Sequence, residues 1–427
     1  MMRIQILLVV VSITITVQAI RAEPLPVLTL AQAQAEARQH APERVAADAA
    51  VAGADARASA AGRRFTHDPI AIGRYQQPPS GTDGKDRAWS VGLEWTVDLS
   101  GAWRPRGAAG HSGLVAAQFA RTGALVDLDV EVAIAYAEVA DAQRRVARST
   151  QMVALREQAA HAADRLRTTG SGNQLDLDAS MLDLRATQVD AANVRGDLES
   201  ARAHLSRLLG RRETTIAVTD DLDLAAAPPR AAIDELVARD PRAKAAAAEL
   251  DAARLVAEAE HKAARPGVTF GIEAGRTRHD IPAGAFASMP ALTGAWNEWE
   301  IAVSLSVPLP VFDRNRVARA SADADVLGAE ARLAGVRADA RRGIAEARAR
   351  LAAAVDAVNA ASDVPTIIDR ELQLLDKALR AGGIELGAFA LQAHRLVEVG
   401  RVYDDAVLAL RRARAAWTRY AQPWPPT

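Results

Sequence analysis

Two eleven-residue segments carry a large apolar residue at every odd position with small or polar residues between, and they constrain this chain more than any other feature. In Trp89–Leu99 the odd positions are Trp89, Val91, Leu93, Trp95, Val97 and Leu99, with Ser90, Gly92, Glu94, Thr96 and Asp98 between them. Trp299–Leu309 repeats the pattern with Trp299, Ile301, Val303, Leu305, Val307 and Leu309. A period of two over this length predicts strands with two unlike faces. About eleven residues is also what a tilted strand needs to cross a bilayer. Val268, Phe270, Ile272 and Ala274 predict a partner for the second strand, and Pro69–Tyr75 a weaker partner for the first.

The segments belong to an internal repeat. Arg104 and Arg106 fall opposite Arg314 and Arg316, and Ala41-Pro42-Glu43-Arg44 resembles Asp240-Pro241-Arg242-Ala243. Thr169-Gly170 resembles Gly382-Gly383, and the offsets are all roughly 200–213 residues. Each half predicts helix, strand, strand, long helix, helix. The first helices cover about Leu30–Arg63 and Ala232–Ala264, and the long ones about Arg106–Thr168 and Val317–Ala381. At 1.5 Å per residue the long helices reach roughly 95 Å. Their apolar residues step by three and four (Leu125, Leu128, Val132, Ala135, Val139, Ala142, Val146), as in a coiled coil or helical tube. Glycines at 170, 172, 382, 383 and 387 mark turns into returning helices, Leu175–Leu209 and Ala388–Tyr420. The expected organisation is a first repeat over 23–210, a linker over 211–231, a second repeat over 232–421 and a tail over 422–427.

Composition agrees with helices. Alanine supplies 97 of 427 residues and aromatics only 4 %, which suits close-packed helices better than a sandwich. A formal net charge of −1 argues against a nucleic-acid partner, which needs a basic face. Cysteine is absent, which excludes disulfides, thiolate metal sites and a Cys lipid anchor. Arg3 followed by the apolar run Ile4–Val17 reads as a signal peptide over 1–22, cleaved after Ala19 or Ala22, with an uncleaved anchor as the alternative. No later stretch of about 18 apolar residues is expected, so membrane insertion would have to use strands.

Four strands cannot close a barrel, and open edges are not tolerated in lipid. The chain would share a barrel with copies of itself, eight strands from a dimer or twelve from a trimer. Ser90, Glu94, Thr96, Asp98, Glu300, Ser304 and Ser306 would line the lumen, and Leu305 would face lipid. Trp89, Trp95, Trp103, Trp296 and Trp299 lie in or beside strands. They read as an interfacial aromatic belt or as core anchors of a soluble sheet.

The signal peptide, the duplicated helix–strand–strand–helix–helix plan and the glycine-containing tips resemble the outer membrane efflux protein (TolC) family. The resemblance implies a mainly α protein with a transmembrane β part. In that family a homotrimer forms a twelve-stranded outer-membrane barrel, continued by a long helical barrel in the periplasm of a Gram-negative bacterium. It also implies docking on a periplasmic adaptor and an inner-membrane pump of the RND type. Val307-Pro308-Leu309-Pro310-Val311-Phe312-Asp313-Arg314-Asn315-Arg316, the modest length and the missing anchor cysteine resemble the CzcC-type heavy-metal branch.

The resemblance implies adaptor docking at the tips, Thr169, Gly170, Ser171 and Asn173 on one and Gly382, Gly383, Glu385 and Leu386 on the other. Asn173 and Leu386 stand where family members carry a hydroxyl residue. Asp176 matches an entrance carboxylate of some members, so that three copies would form a cation-favouring ring, reinforced by Asp178. Phe389 is expected as an apolar constriction there. The alternatives are plain hairpin turns at the tips and a helix-start role for Asp176. The eight histidines are scattered without metal-ligand spacing, and no catalytic motif stands out, so no enzyme, cofactor or metal site is expected. Competing readings keep the duct for drugs or secreted proteins, or make the chain a periplasmic coiled-coil structural protein.

Overall fold

The computed structural model describes residues 27–63, 68–77, 87–212, 215–219, 232–265, 267–280, 295–308 and 314–421. The expected signal peptide, the tail, Asp220–Arg230 of the linker, Leu309–Asp313 and most of both strand-connecting loops lie outside the described residues. Elements run β1 (Val27–Leu28), α1 (Leu30–His40), α2 (Pro42–Ala61), β2 (Ile70–Gln76), β3 (Arg87–Val97), α3 (Trp103–Thr168) and α4 (Gln174–Leu208). They continue with β4 (Ala217–Val218), α5 (Ile233–Arg239), α6 (Pro241–Ala263), β5 (Val268–Asp280), β6 (Ala295–Ser306), α7 (Arg316–Ala360), α8 (Val364–Ala381) and α9 (Leu386–Ala421). The order α2-β2-β3-α3-α4 recurs as α6-β5-β6-α7/α8-α9.

Three helices expected to be continuous are broken, each at a proline. Ala41 and Asp240 are extended (ψ 137° and 122°), so α1 ends before Pro42 and α5 before Pro241. The proline ring disfavours helical geometry in the residue before it, while its own fixed φ suits the first helical turn. The second long helix likewise turns at 361–363, and Pro365 sits in the first turn of α8. Proline has no N–H to donate and clashes with the carbonyl four residues back. The expectation of no later apolar stretch of membrane-span length is also corrected. One 18-residue window within Arg316–Ala381 meets that length and composition, in a region interrupted by this break.

The first long helix, α3, is unbroken over 66 residues, about 100 Å. Helices α2, α4, α6 and α9 all pack on it. Small residues set the spacing. A Cβ at Gly107 would lie 2.9 Å from Gly62 Cα, and one at Gly110 would lie 2.9 Å from Ala58 Cα. Neither site admits even alanine without moving a backbone. Leu128, Val132, Ala135 and Val139 of α3 bury against Ala33 and Ala37 of α1 and Leu198 and Leu205 of α4. There β1 and β4 pair in parallel, a two-stranded sheet absent from the sequence expectations. The Tyr136 hydroxyl lies 2.8 Å from Thr219 O and 3.0 Å from Leu28 O, tying α3 to both strands.

The larger sheet is antiparallel in the order β2-β3-β5-β6. The two predicted hairpins form, with Leu93 opposite Ala71 and Ile272 opposite Val303. The seam between them is β3 against β5, from Arg87↔Arg278 to Val97↔Val268, so the two repeats share one sheet. Among the described residues β2 and β6 have no second neighbour, and no barrel closes within one chain. The second strand ends at Ser306 rather than Leu309, next to Pro308, which cannot donate to a ladder.

Candidate functional site

The register sorts the sheet into two faces. One carries Trp89, Val91, Leu93, Trp95 and Val97 of β3, Val268, Phe270, Ile272 and Ala274 of β5, and Trp299, Ile301, Val303 and Leu305 of β6. This face is bare, with Ile301 75 % and Val303 77 % exposed. The other face carries Arg74, Ser90, Glu94, Thr96, Glu273, Glu300 and Ser304. Arg74 pairs with Glu273 at 2.8 Å, and the Thr96 and Thr269 hydroxyls meet at 2.9 Å. An apolar face without cover beside a hydrogen-bonded polar face suits a wall between lipid and water.

Aromatic residues bound the apolar face. Across the loop end runs the row Tyr75, Trp89, Arg276, Trp299. The Trp89 and Trp299 rings meet edge to face at 6.0 Å, and the Arg276 guanidinium lies 5.5 Å over Trp299. Three pleats nearer the helices runs the row Trp95, Phe270, Leu305. The grouping of Trp296 with this face is corrected. Its even position in β6 puts it with Glu298 and Glu300, where it stacks on His279 at 4.9 Å.

At the other pole lie the helix tips. Thr169 N–H donates to Arg165 O (3.0 Å), and Ser171 and Gly172 both donate to Leu166 O (2.9 Å). Gly170 takes a left-handed φ of 76°, as glycine can without strain. On the second tip Gly382 does the same (φ 67°), and Gly383 N–H donates to Ala378 O. Asn173, standing where a hydroxyl residue was expected, caps α4 by accepting from Asp176 N–H at 2.8 Å. Asp176 therefore lies in the first turn of α4, exposed, where the helix dipole favours its charge. Asp178 accepts from Gln174 Nε2 at 2.8 Å and is also exposed. Glu385 O accepts from Phe389 N–H in the first turn of α9, which begins at Leu386.

Phe389 is not at an opening in this structure. It is 1 % exposed, packed with Met152 and Leu155 of α3 and Leu375 and Leu379 of α8. The spacing Ile368, Leu375, Leu379 gives α8 one apolar stripe, and Phe389 with Ala393 fills the cleft between it and α3. Arg156 of α3 seals this core. It bonds Asp183 of α4 at 2.7 Å and lies 5.7 Å over the Phe389 ring. Nearer mid-helix, Arg148 of α3 pairs with Asp404 of α9, which is 1 % exposed. Asp141 lies in the same buried group. Burial, then the Asp404 charge, push its carboxyl above the ordinary value, against the pull of Arg144 at 3.2 Å. These arginines were not singled out in the sequence, where nothing distinguishes them from the solvent-facing ones. Among the described residues no group of three or more metal-ligating side chains forms.

This architecture has relatives. Residues 232–416 match the family model for outer membrane efflux proteins. The described fold also resembles those of several solved membrane proteins. CusC superposes with a TM-score of 0.72 at 17 % identity, covering 92 % of each chain. The outer membrane protein VceC of Vibrio cholerae gives 0.70 at 18 %, covering 92 % of this chain and 95 % of its own. The MtrE outer membrane channel of Neisseria gonorrhoeae, solved in its open state, gives 0.72 at 19 %, covering 92 % and 88 %. At these identities the likeness is one of fold. No curated protein matches the sequence.

Proposed function

We propose that this chain is the outer-membrane exit duct of a tripartite efflux system. Three copies close a twelve-stranded barrel, and their helices continue it as a tunnel across the periplasm. The observation that carries the reading is the four-stranded sheet, with a bare apolar face, a polar face and two open edges, at one end of a helical bundle built on α3, about 100 Å long. The second-repeat family match and the channel folds of CusC, VceC and MtrE support it. The duct carries out no chemistry of its own. An RND-type pump in the inner membrane supplies the energy, and a periplasmic adaptor joins pump to duct at the tips around Gly170 and Gly382. Asp176 and Asp178 form the carboxylate ring of the entrance. We assign heavy-metal cations of the cobalt, zinc and cadmium kind as cargo.

The test is a strain lacking this protein, challenged with zinc, cobalt, cadmium and copper beside a drug panel. Metal sensitivity restored by the wild-type chain supports the cargo. Drug sensitivity alone keeps the duct and overturns the metal assignment. A chain that migrates identically with and without heating, and is released without detergent, overturns the membrane reading itself.

A further inference from the structure

At the loop end, the outward face of the sheet changes character. Below it every outward position is apolar, yet Arg87 and Arg278 stand directly opposite each other on β3 and β5. Arg276 lies on the same face one pleat away, opposite Trp89. Cross-strand partners have Cβ atoms about 5 Å apart, and like charges placed so repel. Three guanidiniums thus share one small area near the strand ends. Arg87 and Arg278 are exposed, and the Arg276 Nε is buried with no hydrogen-bond partner among the described residues. Trp89, Trp299 and Tyr75 flank them in the row where aromatic rings meet a headgroup layer. A soluble protein gains nothing from clustering arginines at the rim of a bare apolar face. A membrane lipid with phosphate on its headgroup would satisfy both halves of the patch. Its chains would lie on Val91, Ile301 and their neighbours, and its phosphate would take paired N–H bonds from guanidiniums.

We infer that Arg87, Arg276 and Arg278, flanked by Trp89 and Trp299, form a binding patch for the phosphate of an outer-leaflet glycolipid headgroup. The inference rests on the outer-membrane reading, because the loop end is the end remote from the periplasmic helices. Arginine binds phosphate in a bidentate fork, so the patch selects phosphorylated over dephosphorylated headgroups rather than merely attracting negative charge.

The test uses the full-length assembled protein in phosphatidylcholine vesicles carrying either lipid A, with its two phosphates, or the same lipid enzymatically dephosphorylated. Bound glycolipid is counted by native mass spectrometry after detergent extraction. The wild-type protein should retain lipid A at least tenfold over the dephosphorylated form. The double variant Arg87→Gln/Arg278→Gln should lose that preference, whereas Arg74→Gln on the opposite face should keep it. Equal retention of the two lipids by the wild type would overturn the inference without needing any variant. Displacement of lipid A by millimolar inorganic phosphate would overturn the lipid as occupant and leave an anion site. Heat-modifiable migration, read on the same samples, is independent of headgroup preference. Its absence would be the failure of the barrel reading, whereas its presence without preference would be the failure of the patch alone.

Discussion

Consider arginine substituted along β6. Outward rows lie two residues apart, about 7 Å along a strand, or roughly 5 Å of depth at a tilt near 40°. The aromatic rows at Trp299 and Leu305 are three steps apart, about 16 Å, so the midplane falls between Ile301 and Val303. Val303→Arg then sits within about 3 Å of the middle, where an arginine costs about 2–4 kcal/mol, and Leu305→Arg lies about 8 Å out, where the cost falls toward 0–1 kcal/mol. Ala302→Arg is one residue away on the polar face, directly opposite Glu273, and should be near neutral. Reversible urea unfolding into and out of bilayers reads these differences, and 2–4 kcal/mol corresponds to about a 30- to 800-fold change in the folded ratio. Equal costs at 302 and 303 would refute the assignment of faces. A larger cost at 305 than at 303 would refute the depth scale.

Phe389→Ala should lower unfolding stability by about 3–5 kcal/mol, because it empties a buried site; an unchanged transition would return Phe389 to the entrance. Asp176→Asn should reduce cation preference in planar-bilayer conductance across salts, and an unchanged current–voltage curve would leave it only its helix-start role. Gly170→Ala or Gly382→Ala forces a left-handed residue with a Cβ, costing about 1–2 kcal/mol locally, and should weaken adaptor pull-down while leaving the assembled species intact. The raised Asp141 carboxyl favours the protonated form in the folded state, so its contribution is full below its unfolded value near 3.8 and is lost as pH rises through the folded value. Asp141→Asn should remove that loss, read as a shallower fall of stability with pH in chemical denaturation from pH 4 to 8.

Much of the plan was legible because its signals are local. Alternation in Trp89–Leu99 sorts side chains onto faces before any partner is known, and the glycines at 170 and 382 announce their turns. The prolines at 42, 241 and 365 carried equally local signals for the breaks that the expected helices ran through. Pairing of β3 with β5 was not legible, because two strands of identical alternation offer several registers and only the assembled sheet chooses one. Trp296 stands three residues before Trp299, and an odd step along a strand puts the two rings on opposite faces, so nearness in sequence does not make them one belt. Phe389 was misread for a related reason. Its position after a tip suggested an opening, but the stripe on α8 and the Arg156 guanidinium make that position a core.

The β3–β5 seam also dictates an order of events. Val97 and Val268 are partners across about 170 residues of chain, and the closure entropy of so long a loop must be met before the pairing returns anything. A chain emerging N-terminus first therefore holds β2 and β3 as an isolated hairpin, which is marginal in water, until the second repeat has emerged. For all that interval the apolar side of the hairpin is uncovered, and it is a ready template for the wrong neighbour. The first repeat is thus half of one sheet and not a unit that matures alone, and a nascent chain of this kind has reason to need a holdase until its last strand arrives.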